Sequence, residues 1–275
     1  MRRWIFSAAA VLVSSTSLAH DDTATAHYLA NAGVVIVQGD TQIAFDPLFR
    51  NTFNRYDPVP EALENALVAG EPPFDSVDAV FISHYHSDHF EPALILDWAE
   101  RNPSLDVYAP TQAIDGILAV RNPEDSVRKR LHAIAMQPGD APRLIASGEL
   151  LIEVIRIPHA GWPNRMTDVE NLSFRVTLSD TTTVLHLGDA DDKAVHFVEQ
   201  ADYWASRHSH LAMPPFWFFL HDVGRGIVDD HLAADATVGV HAPALMPDRV
   251  ADRDSELDGR DVFTRPGETR EIPRR

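Results

Sequence analysis

The segment FISHYHSDHF, residues 81–90, constrains this chain more than any other stretch. Val80, Phe81 and Ile82 lie in an apolar run, residues 78–84, that reads as a buried strand. Four side chains able to bind a metal follow within six positions: His84, His86, Asp88 and His89. Side chains alternate in an extended chain, so His84 and His86 project to one face. Asp88 and His89 come as the chain turns toward a helix predicted over residues 91–103, with Pro92 in its first turn and Pro103 beyond its end. Such a turn presents polar groups on rigid supports. Imidazole and carboxylate together suit Zn²⁺, Fe²⁺ or Mn²⁺.

A metal site draws ligands from more than one place, and three other apolar runs end on suitable residues. His159 follows the run in RIPHAGW, Asp189 the run in VLHLGDADD, and His241 the run in VGVHAP. Gly188 allows close backbone approach before Asp189. Each of these is ordinary alone. Elsewhere, AHYLANAGVVIVQGDTQIAFDPLF (26–49) reads as two strands around a Gly39-Asp40 turn. A short helical pattern spans 60–70, then strands and helices alternate: strand 105–110, helix 111–120, strands 150–159, 171–178 and 182–189, and helix 193–207. The runs 210–216 and 236–243 are compatible with short strands. QPGD (137–140) and RPGE (265–268) read as type II turns. Most of the charged tail after Pro247 is expected at the surface.

Taken in order, His84-x-His86-x-Asp88-His89, His159, Asp189 and His241 resemble the metallo-β-lactamase superfamily, over about residues 27–247. The resemblance implies an α/β fold, an αβ/βα four-layer sandwich with two sheets face to face and helices outside. It also implies two divalent metal ions at one edge, Zn²⁺ by preference, with Mn²⁺ or Fe²⁺ as alternatives. His84, His86 and His159 would hold the first ion, and Asp88, His89 and His241 the second. Asp189 would bridge them, so that Asp88 and Asp189 are the catalytic carboxylates. Two such cations share a water and lower its pKa, giving a hydroxide that attacks a carbonyl or phosphoryl centre. The implied activity is hydrolysis of an ester, lactone or phosphodiester bond. YLANAGVVI, HFEPALILDWAERNPSLDVYAP and HLAMPPFW look like the branch containing ascorbate-6-phosphate lactonase and N-acyl-phosphatidylethanolamine phospholipase D.

Composition narrows these readings. Cysteine is absent, which excludes disulfides, thiolate ligands and cysteine nucleophiles. Zinc-dependent β-lactamases commonly use a cysteine ligand, so an antibiotic-degrading role is not implied. Residues 1–19 have Arg2 and Arg3, an apolar stretch and small residues ending at Ala19, the order of a secretory signal peptide. A second cleavage position lies at Ala26. The expected organisation is a signal over 1–19 and one hydrolase domain over 20–275, secreted or periplasmic, with no membrane span left after cleavage. Removing two arginines and no acids takes the net charge from −18 to −18 − 2 = −20. Such a chain repels nucleic acid, which argues against a nuclease.

The remaining candidates concern substrate. Asp46, at a strand end before Pro47, is either a turn residue or the carboxylate that holds a ligand histidine's second nitrogen. Phe216, Trp217, Phe218 and Phe219, with His221 after them, read as core aromatics or as a pocket wall, with Trp217 and His221 the candidates for the wall. Trp162 is a third. Aromatic walls suit a small apolar or acyl-bearing substrate, and no arginine or lysine cluster for a phosphate is visible. Tyr85, between two ligands, is expected in the core, and His186 is expected to be structural. Two alternatives stay open from the residues alone: a non-catalytic metal- or partner-binding module, and an iron-dependent redox enzyme with the same ligands.

Overall fold

The structure, a computed structural model, describes residues 23–274; the export signal expected over residues 1–19 lies outside them. The first half of the chain forms strands β1 (Thr25–Ala30), β2 (Gly33–Gln38) and β3 (Thr41–Phe45), helix α1 (Glu61–Ala69), strand β4 (Val77–Phe81), helix α2 (Pro92–Arg101), strand β5 (Asp106–Pro110), helices α3 (Thr111–Val120) and α4 (Asp125–Arg128), and strand β6 (Leu131–Ile134). The second half forms β7 (Arg143–Ser147), β8 (Leu150–Arg156), β9 (Leu172–Leu178), β10 (Thr182–His186), α5 (Val195–Val198), α6 (Ala201–Ser206), β11 (Ser209–Met213), α7 (Asp222–Asp230), β12 (Ala234–Gly239), β13 (Asp261–Val262) and β14 (Thr269–Glu271).

Two seven-stranded sheets result, in the orders β14-β1-β2-β3-β4-β5-β6 and β13-β12-β11-β10-β9-β8-β7. In each, hairpin-joined antiparallel strands give way to parallel strands joined through helices. The alternation within β4 shows how the layers are built. Ala79 and Phe81 point between the sheets, into a core with Phe45, Phe174, Met213 and Phe263. Val80 and Ile82 point outward, against Ile95 and Trp98 of α2 and Ile114 of α3. The second sheet buries Leu185 and Ala212 against Phe197, Trp204 and Ile227. Strands covered on both faces read as continuous apolar runs. The architecture is the expected four-layer sandwich. No helix among the described residues is long and apolar enough to cross a membrane.

Several elements differ from the sequence reading. Residues 26–49 hold three strands, because Thr25–Ala30 also pairs, with β2 on one side and β14 on the other. The strand expected to reach His84 leaves its ladder after Phe81. The helix expected over 193–207 breaks into α5 and α6. Phe197 and Trp204 stack with centroids 5.3 Å apart, whereas seven residues of unbroken helix rise about 10.5 Å. Residues 222–230, assigned no element from sequence, form α7; a side chain at Gly224 would meet the Phe218 carbonyl at 2.3 Å. Most of the charged tail is at the surface, as expected, but β13 and β14 within it form edge strands of the two sheets, with Val262, Phe263 and Ile272 buried.

Candidate metal centre

The C-terminal ends of β1, β3, β4, β8, β10 and β12 converge on one edge of the sandwich, the place where such sheets leave room for a ligand. His84 and His86 lie in the extended segment after β4, and Asp88 and His89 in the turn before α2. His159 follows β8, Asp189 follows β10, and His241 follows β12. The seven side chains form two groups. His84, His86, His159 and Asp189 offer ligand atoms within 4.8 Å of one another, as do Asp88, His89 and His241.

Asp189 joins the groups. Its Oδ2 lies 3.3 Å from His159 Nε2 and 3.9 Å from His84 Nε2. Its Oδ1 lies 3.2 Å from both His89 Nε2 and His241 Nε2. Asp88 Oδ2 is 3.5 Å from His241 Nε2. Two nitrogen pairs crowd together: His84 Nε2 and His86 Nδ1 are 3.0 Å apart, as are His89 Nε2 and His241 Nε2. His159 Nε2 and Asp189 Oδ1 are buried and make no hydrogen bond with the protein. Buried polar atoms ordinarily have partners. Imidazole nitrogens and carboxylate oxygens that converge this closely are a donor set that suits a divalent cation, so each group could hold one.

Neighbouring residues orient the ligands. Asp46 Oδ2 is 2.9 Å from His89 Nδ1, and Asp46 also accepts from the Ser83 N–H (2.7 Å) and hydroxyl (2.6 Å). His84 Nδ1 lies 2.9 Å from Ser83 Oγ, and His159 Nδ1 2.9 Å from the Ala160 carbonyl. These contacts leave the opposite ring nitrogens for the cluster. Asp46 (φ 42) and His241 (φ 64) take the left-handed backbone region that non-glycine residues seldom occupy. Gly188 (φ +58) presses so close that a Cβ would meet Asn171 Oδ1 at 2.4 Å and Ser83 Cβ at 2.5 Å.

The charges are interdependent. Burial alone would raise Asp189, but His241 and His89 outweigh it and hold its carboxyl well below the usual range. Burial also opposes the charged form of His89, but Asp189 and then Asp46 raise it well above an ordinary imidazole; His241 is raised by Asp189 and Asp88 against the same penalty. His84 is pushed well down by burial, then by His89, and His86 is lowered by burial, then by His159.

Other candidates are placed as follows. Trp217 sets its ring edge-to-face on His241, centroids 5.2 Å apart, and its Nε1 donates to the Ala190 carbonyl. Phe216, Phe218 and Phe219 are buried. His221 caps α7, accepting the Gly224 N–H on Nδ1 and pairing with Asp192 at 2.6 Å. Trp162 packs against His196, 5.0 Å between centroids, beside a separate cavity. Tyr85 is not in the core: it is 39% exposed, because the segment after β4 carries no sheet or helix over that side. His186 is buried, with Nε2 2.9 Å from the Ala32 carbonyl.

Three residues of the site were not singled out from sequence. Asn31, left-handed at φ 52, donates to the Asp88 carbonyl and accepts the His241 N–H. Asn171 accepts the Asp189 N–H at 2.9 Å while donating to the carbonyls of Ile157 and Leu187. Tyr56 stands edge-on to His241 at 4.5 Å; burial, then Asp189 and Asp88, push its hydroxyl up to about 12. The Asn-Ala-Gly turn before β2 is a recognisable left-handed position; nothing near Asn171 or Tyr56 in sequence marks them.

Comparison with known proteins agrees with this geometry. The profile of the beta-lactamase superfamily domain matches residues 56–213, more than half of the chain. The chain belongs to the metallo-β-lactamase superfamily. Among solved structures it is similar to Igni18, a metallo hydrolase from Ignicoccus hospitalis (17% identity, 92% of this chain and 100% of that one, TM-score 0.57). It is similar also to an isothiocyanate hydrolase from Delia radicum gut bacteria (14% identity, 90% and 98%, TM-score 0.54). A third is CmlA, a diiron β-hydroxylase from Streptomyces venezuelae (15% identity, 81% and 45%, TM-score 0.50). At these identities the likeness is one of fold. No curated protein matches the chain by sequence.

Proposed function

We propose that this protein is an exported metal-dependent hydrolase that uses two divalent ions, zinc by preference, to cleave an ester, lactone or phosphodiester bond in a small molecule. The observation that carries the reading is Asp189, whose two oxygens face two separate ligand groups. His84, His86 and His159 would hold one ion, Asp88, His89 and His241 the other, with Asp189 between them. When bound, such ions would supply Lewis-acid activation of water and a positive field for the charge that develops on the substrate. The chain itself positions and balances. Asp46 and Ser83 hold His89 and His84 to one orientation. The carboxylates of Asp88 and Asp189 offset the cations' charge. Trp217 and Tyr56 pack on His241 and bound the second group on its exposed side. The signal-like residues 1–19 support export, and the net charge of −18 disfavours a nucleic-acid substrate.

The test is elemental mass spectrometry of protein purified from His20 onward without chelators, with Asp189→Ala beside it and a panel of chromogenic esters, lactones and phosphodiesters. About two zinc or manganese ions per chain, with metal and turnover both lost in the variant, support the hydrolase. Two iron ions would point to redox chemistry instead. Wild-type protein that takes up no metal after reconstitution would remove the site assignment.

A further inference from the structure

Arg156, the last residue of β8, is buried (8% exposed) and has no matching negative charge. Its guanidinium donates to the carbonyls of Met136 and, at 3.4 Å, Val169, and its Nε has no partner. No carboxylate of the described residues lies within ion-pairing distance; Glu170 and Asp140 act only from farther off, and burial lowers the guanidinium's affinity for its proton. The fold treats its other buried arginine differently. Arg175, fully enclosed, is gripped by both oxygens of Glu153 at 3.0 and 2.9 Å. Leaving a buried charge uncompensated is costly, and the cost is relieved when a counter-charge arrives.

Arg156 lines a cavity of about 180 Å³ with Pro158, Trp162, Val195, His196 and Glu199. That is room for a compact group, about six waters at about 30 Å³ each. Pro158 and Trp162 flank ligand His159 in the chain, so the cavity shares a wall with the turn that carries it. The wall is braced. His196 and Lys193 both pair with buried Asp191, and Lys193 also donates to the Trp162 carbonyl at 2.7 Å. Asp191 is thus engaged by both side chains, and Glu199 lies exposed. Arg156 is the one lining cation with no carboxylate partner.

We propose that this cavity is a subsite for a compact oxyanion, a carboxylate or phosphoryl group, that pairs with Arg156 and packs on Trp162. Its use by the substrate of the metal centre rests on the hydrolase reading; the binding itself does not.

The experiment is a fluorescence titration of the metal-loaded protein with butyrate, its neutral analogue butyramide, and inorganic phosphate. Butyrate or phosphate is expected to give a saturable change that Trp162→Phe abolishes. Arg156→Gln, checked for fold and metal content, weakens it about tenfold or more, and butyramide binds weaker than butyrate by about the same factor. Butyrate binding identifies a carboxylate-bearing ligand, and phosphate binding alone a phosphoryl-bearing one. Binding unchanged in Arg156→Gln would locate the anion at the metals and overturn the proposal, as would equal binding of butyramide. If Arg156→Gln does not fold, Trp162→Phe and the butyramide comparison decide. In turnover, Arg156→Gln should raise KM for an ester ending in a carboxylate about tenfold, with KM for its methyl-capped analogue within about twofold. Binding without turnover of any panel substrate would end the hydrolase reading and leave the subsite.

Discussion

Asp46 touches a single ligand of the cluster, His89, yet three of its contacts decide how the cluster stands. It holds His89 by Nδ1 and clamps the backbone and hydroxyl of Ser83, whose oxygen in turn meets His84. Removing such a partner typically costs about 10–100-fold in metal affinity. Asp46→Ala is therefore expected to lower affinity by about that factor, read by competition with a chelator of known strength; an unchanged affinity would refute the orienting role. The charges make a second prediction. A histidine must shed its proton to bind a metal. In the metal-free site His89 and His241 keep theirs to higher pH than usual, while His84 and His86 have lost theirs at lower pH. As pH falls through the ordinary imidazole range, about 6.5, metal should leave the Asp88, His89 and His241 group first. Metal content of the dialysed protein should step through half its value before reaching zero. A single-step loss of both ions would contradict this.

At the scale of elements, the site is made by where strands stop. Residues of β4 and β10 were legible as strands because both their faces are covered, which leaves a mostly apolar run; their ends were read three residues too far, to His84 and Asp189, because the chain stays extended after leaving the ladder at Phe81 and His186. β6 and β7 were not legible. They are edge strands of the two sheets, and β7 leaves Arg143, Leu144 and Ala146 exposed, so it has no buried apolar run to betray the strand. The break between α5 and α6 was hidden because it serves a stacking contact, not a local propensity. Gly188 shows an element junction at its tightest. A side chain there would collide with Asn171 and Ser83 in a backbone conformation that disfavours it. Gly188→Ala should cost about 2–5 kcal/mol, combining left-handed strain with overpacking. Denaturant unfolding would measure it, and a loss below about 1 kcal/mol would mean the cradle yields easily.

For the whole molecule, the two sheets meet at one edge through seven side chains drawn from both halves of the chain. Ions held there tie the halves together. At free metal about a thousandfold above Kd, each ion contributes about 4 kcal/mol, or roughly 8–16 °C in Tm for a chain of this size. Adding a chelator should lower Tm by at least that amount, and readdition of zinc should restore it. A Tm indifferent to chelation would show that the cluster adds nothing to the fold.

By itself the sequence determined which residues could bind a metal and which strand ends carry them, because covered strands and the polar turns after them are written locally, within a few residues. It also excluded cysteine chemistry outright. Only the tertiary structure decided that Asp189 turns one oxygen to each group, that Asp46 serves His89, and that Arg156 stands beside the His159 turn without a carboxylate partner. Each of those facts joins residues from separate strands, and their spacing is set by how the two sheets pack, which no short stretch of sequence records.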